Sequence, residues 1–136
     1  MEPIHVRPIG HVKSPLGERD EAPLQGDEGA PEAWLVFDGR VSAGLRGLEV
    51  GVDVLVLTWL DRARRDVRAV HPRGDTARPL TGVFSTRSPD WPNPIGLHRV
   101  RILAVEGLRV RVANLEALDG TPIVDVKPVL HSIADR

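Results

Sequence analysis

Apolar and polar residues alternate along much of this chain at a period of two, the spacing of a strand with one face buried. Residues 4–14, IHVRPIGHVKS, alternate around a Pro-Ile-Gly interruption and predict a strand bulged at Gly10. Residues 33–37, AWLVF, predict a short strand that ends at the turn pair Asp38-Gly39. Residues 42–51, SAGLRGLEVG, read as turn-like, with room for one short helical turn. The run VDVLVLTWL, residues 52–60, is nearly all apolar and too short for a capped amphipathic helix, so it predicts the most buried strand. DVRAVHP, residues 66–72, alternates again. Residues 95–115, IGLHRVRILAVEGLRVRVANL, predict a hairpin with Glu106-Gly107 at its tip. There His98, Arg99, Arg101, Arg109 and Arg111 interleave with Val100, Ile102, Val110 and Val112. TPIVDVKPV, residues 121–129, predicts a last strand. No stretch longer than ten residues has a helical period. About seven short strands at close turn spacing indicate a small barrel or sandwich.

Length suits a single domain covering residues 1–136. The apolar fraction of 41% suits a globular core. No run of 18 apolar residues is present, so no membrane span or membrane partner is expected. The N-terminus lacks an apolar leader segment, and zero cysteines exclude disulfides and thiolate metal sites. A cytoplasmic location follows as the expectation. The net charge of −1 conceals an uneven distribution. Residues 1–60 carry 5 basic and 10 acidic side chains, whereas residues 61–112 carry 11 basic and 5 acidic ones. A basic middle suits phosphate contact and equally suits a solvated face of arginines.

Familiar catalytic motifs are missing. There is no nucleotide-cradling glycine loop, no nucleophile elbow and no metal-ligand spacing among the five histidines, His5, His11, His71, His98 and His131. No metal is expected, and each histidine reads as a surface or strand residue. Two loops carry the remaining chemistry. Residues 81–96, TGVFSTRSPDWPNPIG, hold three prolines and two glycines, and contain little that would fill a core. Proline fixes φ, so such a loop is stiff without regular hydrogen bonding and its backbone groups can face a ligand. Arg87 within it suits a carboxylate or an aromatic base. The second loop, ALDGTPIVDVKP at residues 117–128, places a turn at Asp119-Gly120 ahead of Asp125 and Lys127, which share a strand face and can pair. Spacing alone fits either a site or a plain hairpin turn with a surface ion pair.

Together these loops resemble the signature of the TrmO family, also called the TsaA-like family. The resemblance rests on GVFSTRSPDWPNPIGL followed by LEALDGTPIVDVKP, with IGHVKSP and GLRGLE upstream, and it covers about residues 4–129. It implies a small single-sheet antiparallel β-barrel with long Pro- and Gly-rich loops, working as a homodimer. It also implies S-adenosyl-L-methionine as cofactor and tRNA as partner. The implied reaction methylates the exocyclic nitrogen of threonylcarbamoyladenosine, beside the anticodon in the anticodon stem-loop. Carried over by motif, the cofactor contacts fall at Pro23, Leu24 and Gln25, at Asp61 and Arg62, at Arg87, at Leu97, and at the turn Leu118, Asp119, Gly120 and Thr121. Longer relatives carry a further C-terminal domain, which is not expected here.

This sequence departs from the family pattern in four places. Leu24 replaces an Arg, Asp61 a His, Trp91 an Arg and Val129 a Tyr. The first and third remove positive charge and the second adds a carboxylate, so the cofactor site is better supported than the tRNA. Two alternatives therefore stand beside the tRNA reading: methylation of another RNA or a small molecule, and a non-catalytic module that binds S-adenosylmethionine. The acceptor nitrogen must lose a proton, for which Asp125 and Asp119 are the candidate bases, with Lys127 orienting a base or polarising a carbonyl.

Overall fold

The computed structural model describes residues 1–15, 32–60, 69–70, 81–85 and 93–130. The strands in these residues are β1 (Gly10–Lys13), β2 (Ala33–Phe37), β3 (Asp53–Trp59), β4 (Ala69–Val70), β5 (Thr81–Gly82), β6 (Ile95–Glu106), β7 (Arg109–Ala113) and β8 (Pro122–Pro128). Six of them form one antiparallel sheet in the order β1-β2-β7-β6-β3-β8, and β8 pairs with β1 as well as with β3, so the sheet closes into a barrel. β4 and β5 make a separate two-stranded antiparallel pair.

Alternation sets the core. β2 turns Ala33, Leu35 and Phe37 inward, and β3 turns Val54, Val56 and Thr58 inward. Val100, Ile102, Val110 and Val112 come in from β6 and β7. A six-stranded barrel has room for little more than these side chains. Asn114, at φ 68, adopts the left-handed conformation directly after β7. The chain leaves the strand there, and Leu115 and Ala117 become part of the core.

A close contact and a bulge fix strand positions. At Gly10 a Cβ would collide with the Val36 carbonyl oxygen, so only glycine lets β1 lie this close to β2. In β8, Asp125 faces Leu57 while Ile123 faces Thr58, which leaves Val124 as the extra residue of a bulge. Between β2 and β3, a 3₁₀ segment, Gly39–Leu45, starts from Asp38. The Asp38 carboxylate accepts from the Arg40 backbone N–H at 2.9 Å and pairs with its guanidinium at 2.8 Å. Those Arg40 bonds, the side-chain one foremost, hold the Asp38 carboxyl down to about 2.

The all-β expectation holds in most elements, with six corrections. Gly10 pairs in straight register with Phe37 and Ile123, so no bulge lies there. Thr81–Gly82, expected as loop, is strand β5, followed by a 3₁₀ turn at Val83–Ser85. Residues 4–9 form no strand, and Ile4 and Val6 are exposed; backbone bonding begins at Ile9, whose N–H donates to Ile123 O and whose carbonyl accepts from Asp38 N–H. The apolar run in β3 is buried on one face only, since Leu55, Leu57 and Trp59 point outward and are half-buried. The hairpin turn sits at Gly107-Leu108, one residue later than expected, with Gly107 at φ 60. His98 belongs to the inward face with Val100 and Ile102, opposite to Arg99 and Arg101. The strand expected over residues 66–72 is described only at Ala69–Val70.

Candidate functional site

One rim of the barrel gathers the described parts of the expected site. β3 ends there at Trp59, and β6 begins there at Ile95, its register partner. β8 begins there, since Thr58 of β3 faces Ile123. β1 ends there as well, because the Ser14 N–H donates to Asp119 Oδ1 at 2.9 Å. A further backbone bond, Leu60 N–H to the Pro94 carbonyl at 2.7 Å, ties the chain after β3 to the chain before β6.

The turn at residues 118–121 is fastened to this rim from both sides. Gly120 N–H donates to Val12 O at 2.7 Å, and Val12 N–H donates to Thr121 O at 2.9 Å. The Thr121 side chain is buried, and its hydroxyl donates to Leu118 O at 2.7 Å. Gly120 has φ 82, a conformation that favours glycine, and a Cβ there would meet none of the described residues within 4 Å. The turn is thus shaped by its backbone, and no described residue crowds Gly120.

Leu97 lies on the outer face of β6, 40% exposed, with Ile95 beside it at 47%. Register places Leu97, Leu57 and Asp125 in one row across β6, β3 and β8. Two strand spacings separate the ends of that row, roughly 10 Å. The expected pairing of Asp125 and Lys127 is present, with Lys127 Nζ 2.9 Å from Asp125 Oδ2. Asp125 Oδ1 also accepts from the Val126 N–H at 2.9 Å. Asp119 sits apart from this pair, at the β1 end of the turn. The bulge at Val124 therefore sets which way Asp125 faces.

Pro23, Leu24, Gln25, Asp61, Arg62 and Arg87, together with Trp91, lie outside the described residues. The described residues that border their segments include Pro15, next after Ser14, and Leu60 and Asn93, all on this same rim.

Sequence reading missed a buried polar chain behind the rim. His98 is 4% exposed and Thr58 is wholly buried. His98 Nδ1 lies 2.6 Å from Glu116 Oε1, and His98 Nε2 lies 2.7 Å from Thr58 Oγ1. A carboxylate only accepts, so Nδ1–H donates to Glu116, and Nε2 shares a hydrogen bond with the Thr58 hydroxyl, the hydroxyl donating where Nε2 carries no proton. The order carboxylate–imidazole–hydroxyl is that of a nucleophilic triad, but Thr58 has no exposed surface from which to attack. Gly96 makes the chain possible. A Cβ at that position would collide with Thr58 Oγ1 and come within 2.8 Å of His98 Nε2. The one available signal was parity. His98 is two residues before Val100 and four before Ile102, and so shares their face.

The basic strand faces divide in two. Arg99 Nε and Arg101 Nε both donate to Asp53, at 3.1 and 2.9 Å, and hold its carboxyl below the ordinary range, Arg101 most strongly. Arg109 and Arg111 instead flank Trp34, with guanidinium carbons 4.4 and 5.9 Å from the ring centroid. Among the described residues no group of His, Asp and Glu is arranged to hold a metal, and no helix is long and apolar enough to cross a membrane.

A closed antiparallel barrel with its chemistry on one rim, and no glycine-rich nucleotide loop, narrows the family. The chain belongs to the family of the tRNA-methyltransferase O N-terminal domain, which it matches over residues 11–135. It is 42% identical over 130 residues to a probable S-adenosyl-L-methionine-binding protein of Methanothermobacter thermautotrophicus, covering 96% of this chain and 93% of that one. An S-adenosyl-L-methionine-binding protein of Archaeoglobus fulgidus is 43% identical over 122 residues, with coverage of 90% and 86%. Among solved structures, TrmO from Pseudomonas aeruginosa superposes with a TM-score of 0.76 at 29% identity. That match covers all of this chain and 60% of the other, so the chain spans about three fifths of the solved relative.

Proposed function

We propose that this chain is an S-adenosylmethionine-dependent methyltransferase that acts on tRNA, at the exocyclic nitrogen of threonylcarbamoyladenosine. The observation that carries the reading is convergence. Leu97 and the turn at residues 118–121 lie on one rim, and the segments holding the other motif positions are bordered by residues of that rim.

The residues present suit the cofactor. Exposed Leu97 and Ile95 offer an apolar wall for an adenine ring, and the open turn at Gly120 lets a ligand approach the backbone. Asp119 and Asp125 put carboxylates near this edge, which suits a cationic group. When bound, S-adenosylmethionine supplies a methyl group on a sulfonium, an electrophile that needs no activation by the protein. The task left to the chain is positioning and proton removal. Asp125 would take the proton from the acceptor nitrogen as the N–CH3 bond forms and the S–CH3 bond breaks, the sulfur leaving as a neutral thioether, and Lys127 would orient that carboxylate. Asp119 is the alternative base.

Arg109 and Arg111, stacked on Trp34, form the surface best suited to RNA phosphates and bases. Arg99 and Arg101 both donate to Asp53 at close range and suit it less well, whereas Arg111 reaches Glu32 at the longer distance of 3.9 Å. A homodimer is part of this proposal, supported by the outer apolar strip of Ile95 and Leu97 beside half-buried Leu55, Leu57 and Trp59.

Calorimetry with S-adenosylmethionine, then mass spectrometry of tRNA nucleosides from a deletion strain, tests the proposal. Loss of methylated threonylcarbamoyladenosine is the expected result, and an unchanged nucleoside profile overturns the tRNA assignment. Single-turnover methylation by Asp125→Asn and Asp125→Ala tests the base, and undiminished transfer removes Asp125 from the role. A second reading, a module that binds the cofactor without catalysis or methylates another acceptor, draws on the names of the full-length relatives and on Leu24, Asp61 and Trp91.

A further inference from the structure

We propose that His98 is the positioning residue of the cofactor rim. Its imidazole bonds to groups on two other chain segments, and all three segments bear on the site. Thr58 stands three residues before Asp61. His98 itself follows Leu97. Glu116 stands two residues before Leu118. A single buried ring thus joins the end of β3, the start of β6 and the approach to the turn at residues 118–121, through bonds of 2.7 and 2.6 Å. The inference rests on the reading that this rim binds S-adenosylmethionine.

Stability gives no reason for such a chain. The barrel wall above it is made of Val54, Val56, Val100 and Ile102, and apolar residues at positions 58 and 98 would continue that wall. Replacing both partners of a buried hydrogen bond by apolar groups is often neutral or stabilising. What a polar chain adds is direction, because each bond has a preferred length and angle and fixes where its backbone lies. Gly96 is kept bare to make room for it, which places the NPIG segment under the same constraint. Other polar groups of the rim follow this pattern. Buried Thr121 bonds back to Leu118 within the turn, and Leu60 N–H bonds to Pro94 across the rim. A binding site held loosely by its supporting residues loses affinity even when every contact residue is present.

The test compares Thr58→Val, which keeps the volume and deletes the hydroxyl, with Thr58→Ser, which keeps the hydroxyl. Glu116→Ala and Glu116→Gln form the matching pair. Three quantities are measured: cofactor affinity by calorimetry, melting temperature, and amide hydrogen exchange at Gly120 and Thr121 without ligand. Thr58→Val and Glu116→Ala are expected to weaken cofactor binding by roughly tenfold and to speed exchange in the turn, a size typical of small misplacements. Thr58→Ser and Glu116→Gln are expected to restore both. The double variant is expected to lose no more than either single one, since both act through one ring. Lower melting temperature with unchanged affinity and unchanged exchange would mean that the chain merely holds the core, and would overturn the inference. Should Thr58→Val fail to fold, part-exposed Glu116 carries the same comparison. Wild-type protein that does not bind the cofactor overturns the proposed function. The exchange measurement needs no ligand and still decides whether His98 orders the rim.

Discussion

Gly96 has a measurable cost attached to it. Its missing Cβ is the space filled by Thr58 Oγ1 and His98 Nε2. Gly96→Ala should lose about 1–3 kcal/mol in urea unfolding, the usual range for overpacking. Part of that loss should return in a Thr58→Ala background, because the two positions share one contact. Two carboxylates give a pH signature at this scale. Asp53 is held below its ordinary 3.8 by hydrogen bonds from Arg101 and Arg99, and Asp38 is lowered to about 2 by Arg40. A carboxyl depressed in the folded state adds stability above its unfolded value and loses it as pH falls through the folded one. Stability should therefore fall as pH drops below about 4, for Asp38 between 3.8 and about 2. Acid titration of the unfolding midpoint should show a shallower fall in Asp53→Asn. The pairing of Asp125 with Lys127 was legible in the sequence from parity alone. The bonding of His98 was not, because its partners are 40 and 18 residues away.

Elements here are set by close approach as much as by alternation. β1 is short, and Gly10 is where it meets both neighbours, β2 and β8. Gly10→Ala would drive a Cβ into the Val36 carbonyl, with no flexible side chain to yield. It should cost about 1–3 kcal/mol by the same overpacking argument, read in guanidinium unfolding. Gly120→Ala provides the contrast. No described residue stands in the way there, so the backbone conformation at φ 82 is what resists, at about 1–2 kcal/mol. Cofactor affinity should fall in Gly120→Ala and be retained by the folded fraction of Gly10→Ala, as calorimetry on both variants would show. Most strands were legible because their segments carry alternation or an apolar run; Thr81–Gly82, read as loop, was not. The bulge at Val124 was not, since β8 alone gives no sign that Asp125 must face Leu57.

At the scale of the whole molecule, closure of the sheet leaves a crowded interior and an outer wall with distinct faces. Arg109 and Arg111 with Trp34 occupy one face, and the apolar strip around Ile95 another. If the first face meets RNA phosphates, Arg109→Gln with Arg111→Gln should weaken tRNA binding. The doubled change should also flatten the log-affinity against log-salt slope by roughly one to two. The same change at Arg99 and Arg101 should do less, because Asp53 already offsets their charge. If the strip pairs two copies, Ile95→Glu should shift sedimentation equilibrium toward monomer. Unchanged mass at equal concentration would remove the strip from the interface.

The sequence by itself determined the strands, most of their inward faces, and the two loops that signal the family. These are local properties, set by a period of two and by the fixed φ of proline. Tertiary structure alone decided that six strands close on themselves, that Leu97 and the turn at residues 118–121 share one rim, and that His98 is a buried link between Glu116 and Thr58. Those facts depend on register between distant strands. Register is settled by the fit of Gly10 and Gly96 against their neighbours and by two register shifts, one in β8 and one in β6, none of which a single strand records.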